Sequence, residues 1–149
     1  MQSQRRHFTL DEANGLLPSV VDHFTMAKTA RLERDNAEAG LQNYRRRLIL
    51  SGGVIPNANR MGAFEDQAKL AHQRLSLALN ALEDIGLEVR DLDQGLVDFP
   101  TRYRGETVYL CYRVGEKEIA YWHAEQEGYQ GRRLIDEDFR SGHSGDRSF

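Results

Sequence analysis

The sequence predicts an α+β fold: a long antiparallel helical hairpin, coiled-coil-like, over about 10–86, followed by a small antiparallel β-meander over about 87–135. Three observations carry this. Apolar residues step by threes and fours through the first half of the chain, the period of a helix face. β-branched and aromatic residues concentrate between Gly95 and Arg133, in short runs separated by glycines and other turn formers. Inside the helical half, between its two periodic runs, lies SGGVIPNAN at 51–59, a loop composition long enough for an antiparallel return. Residues 136–149 are polar enough to read as a flexible tail, so the organisation is a single domain over 1–135 followed by that tail.

Composition narrows the function classes. A chain of 149 residues can bury a core without a disulfide or structural metal, and 29% charged residues with a net charge of −3 describe a soluble, mildly acidic domain. That balance argues against broad attraction to nucleic acid or anionic membranes. Cys111 is the single cysteine, which rules out an intrachain disulfide and the paired thiols of a zinc ribbon, and points to the cytoplasm. The first residues, MQSQRRHFTLDEANGLLP, lack the apolar run of a signal peptide, and no run in the chain has membrane-spanning length.

The helical half opens on a capping box, Thr9-Leu10-Asp11-Glu12, with Phe8 placed to staple the first turn. Pro18 lacks an amide proton, so a short helix over 10–17 ends there or kinks. From 18 to 50 the seam is Val20, Phe24, Ala27, Ala30, Ala37, Leu41, Tyr44 and Leu48. Arg34 interrupts it, either snorkelling from the edge or pairing with an acid on the next helix. Gly40 weakens the middle by about 1 kcal/mol relative to alanine, inviting a bend. From 60 to 85, Phe64, Ala68, Ala71, Leu75, Ala78, Leu82 and Ile85 form a second seam, closed by Gly86 as a left-handed C-cap. Leu70, Leu77 and Leu79 widen its apolar face. Helices of roughly 40 Å outreach a small meander, which suggests a homodimer built through them.

In the second half, 87–92 and 95–99 read as strands joined by a turn at Asp93 and Gln94, and Pro100 closes the second. The runs TVYLCYRV at 107–114 and EIAYWH at 118–123 read as a hairpin turning at Gly115 and Glu116. A two- or four-residue loop sets Arg113 opposite Glu118 and puts His123 on the face of Leu110, Tyr112, Ile119 and Tyr121. A three-residue loop brings Cys111 to the His123 face instead. The sequence leaves the register open.

FTLDEANGLLP at 8–18, GLVDFP at 95–100, LCYRVGE at 110–116, and YWH followed by GYQGR at 121–132 occur in that order. Together they resemble a bacterial family of domains of unknown function, number 2203. Tyr112 stands where the family pattern suggests tryptophan, an aromatic exchange. The resemblance implies the same architecture and no reaction, and it directs attention to Asn14, Asp98, Cys111, Glu116, His123 and Arg132 as the polar positions of those motifs.

Imidazole with carboxylates is the ligand set of many first-row metal sites, so His123, Asp98, Glu116 and Glu125 are candidate ligands of a divalent first-row metal, with Cys111 a further donor. Against this, a histidine ending an apolar strand commonly serves as a hydrogen-bonded core residue. Asn14, Cys111, Trp122 and Arg132 are candidate ligand-binding residues; Arg132 and Arg133 follow two glycines and suit a carboxylate or phosphate. A mid-strand Cys111 is ordinarily inert rather than a nucleophile. Arg45, Arg46 and Arg47 complement a helix C-terminus and give only slender support to RNA binding. The expected function is a cytoplasmic binding or interaction protein, dimerising through its helices and presenting a ligand or partner surface on the meander. The alternative is a metal-binding protein or metal-dependent enzyme centred on His123, which requires Asp98, Glu116 or Glu125 to converge on that ring.

Overall fold

The computed structural model describes residues 5–52 and 57–146, so part of the expected loop (53–56) and the end of the tail (147–149) lie outside the described residues. The elements are α1 (Leu10–Leu50), α2 (Ala58–Ile85), β1 (Glu88–Asp91), β2 (Leu96–Tyr103), β3 (Glu106–Arg113), β4 (Tyr121–Ala124), a 3₁₀ turn (Tyr129–Gly131), β5 (Arg133–Leu134), α3 (Glu137–Gly142) and β6 (His143–Ser144). The fold is α+β, two long helices followed by an antiparallel sheet in meander order. The chain divides into two compact units, one of Thr25–Leu79 and the other drawn from residues up to Phe24 and from Asn80 onward.

The helical unit follows the apolar period. Ala27, Ala30 and Ala37 of α1 and Ala71, Leu75 and Ala78 of α2 are buried. Cross-helix partners run in opposite directions, Glu33 with Arg74 and Arg45 with Glu65, as an antiparallel pair requires. α1 runs through Gly40 without a break. This glycine admits Phe64 of α2, whose ring carbon would lie 2.5 Å from any Cβ at that position. Arg34 pairs with Asp35 on its own helix, which settles for the half-exposed edge position over an acid on α2.

In the other unit the capping box forms as read: Thr9 Oγ1 accepts from the Glu12 amide at 3.1 Å and Glu12 Oε1 accepts from the Thr9 amide at 3.2 Å. Gly86 takes φ +107° after α2, and a Cβ there would press on Arg6 and Phe8. Pro18, however, neither ends nor restarts a helix but lies inside α1. Leu17, Val20 and Phe24 on either side are buried in one core with Leu82, Val97, Phe99, Val108 and Leu110, and that packing outweighs the single lost backbone bond.

The sheet order is β1-β2-β3-β4-β5, with β6 joining β2 beside its far end. Pro100 does not close β2 but sits in its middle, opposite Tyr109. Its carbonyl accepts from the Phe8 amide at 2.7 Å, on the side away from β3. A strand residue's N–H and C=O point to the same side, so the ladder with β3 misses no donor there. β2 therefore continues to a two-residue turn at Arg104 (φ 53°) and Gly105 (φ 77°), both in the left-handed region that such tight hairpins demand.

The tight hairpin expected at Gly115 and Glu116 is replaced by a wide connection between Cys111↔Tyr121, the last pair of β3 and β4. Tyr112 Oη donates to the Glu116 carbonyl, and the Ile119 amide donates to Asn14 Oδ1 on α1 at 2.9 Å, which draws Ile119 into the core. Arg113 consequently lies opposite Leu96 rather than Glu118. The pairing Tyr109↔His123 puts Cys111 on the His123 face, the outcome associated with an odd loop.

The expected flexible tail is built, over its described part, as α3 and β6. Asp136 caps α3 by accepting from the Phe139 amide. Phe139 is buried against Trp122, ring centres 4.8 Å apart. His143 Nδ1 donates to the Phe139 carbonyl, leaving the Nε2 lone pair to accept from the Leu10 amide at 2.9 Å, which caps the start of α1. Phe139→Ala should cost about 3–5 kcal/mol in reversible denaturation, the range for deleting a buried phenylalanine. A change under about 1 kcal/mol would show that this segment does not contribute to the folded core.

Candidate functional site

Strand alternation assigns the chemistry to one face of the sheet. Val97, Phe99, Val108, Leu110 and Tyr112 point into the core, so Leu96, Asp98, Tyr109, Cys111, Tyr121 and His123 point the other way. Asp98 of β2 is paired with Cys111 of β3, and Tyr109 of β3 with His123 of β4. The three central strands thus bring a carboxylate, a thiol and an imidazole together.

The centre of the arrangement is Asp98, 2% exposed. Its Oδ2 accepts from Arg90 Nε at 2.8 Å and from His123 Nε2 at 2.9 Å, and the Cys111 Sγ lies within 4.8 Å of the same carboxylate. His123 is 3% exposed, and its Nδ1 donates to the Ala124 carbonyl at 2.8 Å, a bond that fixes the ring and directs Nε2 at Asp98. Tyr109 stacks on His123 with centres 5.5 Å apart, and Arg90 lies over the same phenol ring. Tyr109 Oη accepts from Arg5, which also pairs with Glu125.

These contacts set the proton affinities. Burial pulls His123 down, but the Asp98 hydrogen bond, the Ala124 carbonyl and the Asp98 charge outweigh it, so the ring holds its proton above the usual value. Burial pushes the Cys111 thiol up to about 12, with Asp98 adding to the rise and Arg132 opposing it. A cavity of about 270 Å³ opens on the cluster, lined by Asp98, Cys111 and His123 and walled by Glu125, Glu127 and Tyr129. One ligand atom from each of Asp98, Cys111 and His123 lies within 4.8 Å of the others, close enough to share a metal ion.

A family model described as "Uncharacterized conserved protein (DUF2203)" matches residues 6–135. The chain belongs to the DUF2203 family. No curated protein matches it, and no solved structure does. Asp98, Cys111 and His123 of this DUF2203 chain, with Arg90 and Tyr109, lie within the matched stretch, whereas Arg5 precedes it and α3 and β6 follow it. Among the described residues, no helix is long and apolar enough to cross a membrane.

Of the residues singled out from the DUF2203 sequence, Asp98, Cys111 and His123 converge. Glu125 lines the same cavity but is held by Arg5. Glu116 stays apart: its carboxylate accepts from the Arg113 amide and from Arg132. Asn14 lies on the core side, tethering Ile119. Trp122 also faces the core, stacked on Phe139 and edge-on to Tyr103, because its strand position is one out of phase with His123. Arg90, Tyr109 and Arg5 were not indicated by any motif. The alternation of Glu88 and Arg90 along β1 is the local sign that both face one side, but their distance from His123 in sequence hides the contact.

In metal-free protein, Asp98→Asn should lower the His123 value, because burial then acts without the carboxylate; proton NMR titration of the ring reads this directly. The raised folded value means that the protonated ring's contribution to stability is complete below the unfolded value of about 6.5 and is lost as pH rises through the folded value. The stability gap between wild type and Asp98→Asn should narrow accordingly on going alkaline. Native Cys111 should resist alkylation at pH 8 and react at the ordinary thiol rate only after unfolding, as mass spectrometry can follow.

Proposed function

We propose that the chain is a metal-binding protein that holds a divalent first-row ion of the zinc class through Asp98 Oδ, Cys111 Sγ and His123 Nε2. The observation that carries this reading is the convergence of three chemically different ligand atoms on one cavity. An ion bonded at about 2.0–2.3 Å to N, O and S donors suits that spacing, and three protein ligands leave a position for a group from the cavity. The surrounding contacts fit the supporting roles of such a site: the Ala124 carbonyl orients His123, and Arg90 hydrogen-bonds the ligating carboxylate.

In this reading the metal-free protein keeps the site assembled with protons. Loading the ion displaces the Cys111 thiol proton and the His123 Nε2 proton, so affinity rises with pH. The nearby Arg90 cation is the main electrostatic opponent, and the two anionic ligands offset it. The wider setting we propose is a bacterial cytoplasm, with two copies paired through the helices, where Leu32, Leu70 and Leu77 are exposed.

Cobalt(II) provides the test. Tag-free protein should bind one equivalent, with a thiolate-to-cobalt charge-transfer band that disappears in Cys111→Ser and stoichiometric binding that is lost in His123→Ala. Zinc should displace the cobalt. Absence of binding, or binding unaffected by both substitutions, overturns the metal reading and returns the face to ligand recognition without metal.

A further inference from the structure

Arg132 presents a separate problem of charge. Its side chain is only 10% exposed, and its guanidinium lies between two aromatic rings, 3.6 Å from the centre of Tyr121 and 4.6 Å from that of Tyr129. One nitrogen, Nη2, donates to Glu116. Nε and Nη1 are buried and have no hydrogen-bond partner. Stacking uses the faces of the guanidinium and leaves its edge donors unsatisfied, and a buried donor attached to a full charge is costly to leave so.

The neighbouring carboxylates do not fill these positions. Glu127 is engaged by Arg133 at 2.7 Å and by the Ala124 amide at 3.1 Å. Glu125 is engaged by Arg5. Arg113 adds a second cation beside the Tyr129 ring. Arg132 lies on the β5 side of the Cys111 face, near enough for its charge to favour the thiolate, and Tyr129, which covers it, also walls the cavity. An immobilised, desolvated, forked donor between aromatic rings is the chemistry that grips an oxyanion.

We infer that Arg132, clamped by Tyr121 and Tyr129, is a binding site for the carboxylate or phosphate group of a small ligand, which supplies acceptors to Nε and Nη1. Glu116 is the competing internal anion that holds the guanidinium in place between binding events. Both donors are buried, so an anion reaches them only when a neighbouring side chain shifts. The inference does not depend on metal binding at Asp98, Cys111 and His123.

Isothermal titration of chelator-treated, metal-free protein with inorganic phosphate and, separately, with acetate tests it. Saturable binding of either anion is expected. Arg132→Gln should weaken it by about a hundredfold, since two charge-assisted bonds are lost, and Arg132→Lys by about tenfold, since the ammonium keeps the charge and loses the fork. Glu116→Gln should tighten binding by removing the competing carboxylate. Which anion binds more tightly distinguishes a phosphate from a carboxylate ligand. No saturable binding of either anion to wild type, or equal binding to folded Arg132→Gln, overturns the inference and leaves ordered water as the partner of both donors.

Discussion

A carboxylate almost wholly removed from water must be compensated by donors, and at Asp98 that requirement organises three strands and the first one beside them. Arg90 comes from β1, Cys111 from β3 and His123 from β4, and each reaches the carboxylate only if its strand is in the observed register. A one-residue slip of β4 would turn His123 into the core and Trp122 onto the Asp98 face, leaving a charge buried with one donor fewer. The polar face therefore fixes alignment as firmly as the apolar face does. It is a specificity device as well as a chemical one.

The same arrangement favours the protonated forms of the cluster. His123 has acceptors at both ring nitrogens, and burial pushes the Cys111 thiol up to about 12. What could change this is a positive charge that substitutes for their protons. Arg132, across the same face, carries the opposite deficiency: a full positive charge whose edge donors lack acceptors. The face thus combines a carboxylate surrounded by donors with a guanidinium short of acceptors.

The helices were the most legible part of the chain, because their seams repeat over many turns and the capping box and Gly86 mark ends by local geometry alone. Pro18 and Pro100 misled for a common reason. A proline's cost is local, but whether its missing donor is needed depends on tertiary neighbours: the buried residues around α1 in one case, the Phe8 amide beside β2 in the other. His123 and Asp98 were legible as metal-ligand types, and Cys111 joined them through a register that residue spacing left open. Glu116 is equally acidic and equally close to a turn, yet it is claimed by Arg132, and only the fold shows which partner is nearer. Trp122 and the supposed tail share one explanation, since the indole covers Phe139 and each was uninterpretable without the other.

The unit bearing the sheet draws on both sides of a long helical excursion, residues up to Phe24 and from Asn80 onward. Its seams join distant sequence: Phe8 to Pro100, Leu10 to His143, and His7 to Asp146, whose carboxylate accepts from the His7 amide at 2.8 Å. During synthesis the first turn of α1 emerges long before the residues that cap and cover it. The helical excursion can zip from local contacts early, while the sheet must await nearly the whole chain and close loops whose entropy is lost before any burial compensates it. The order of assembly is thereby inverted relative to the importance of the two parts for the candidate site, and the polar face forms among the last elements to be completed.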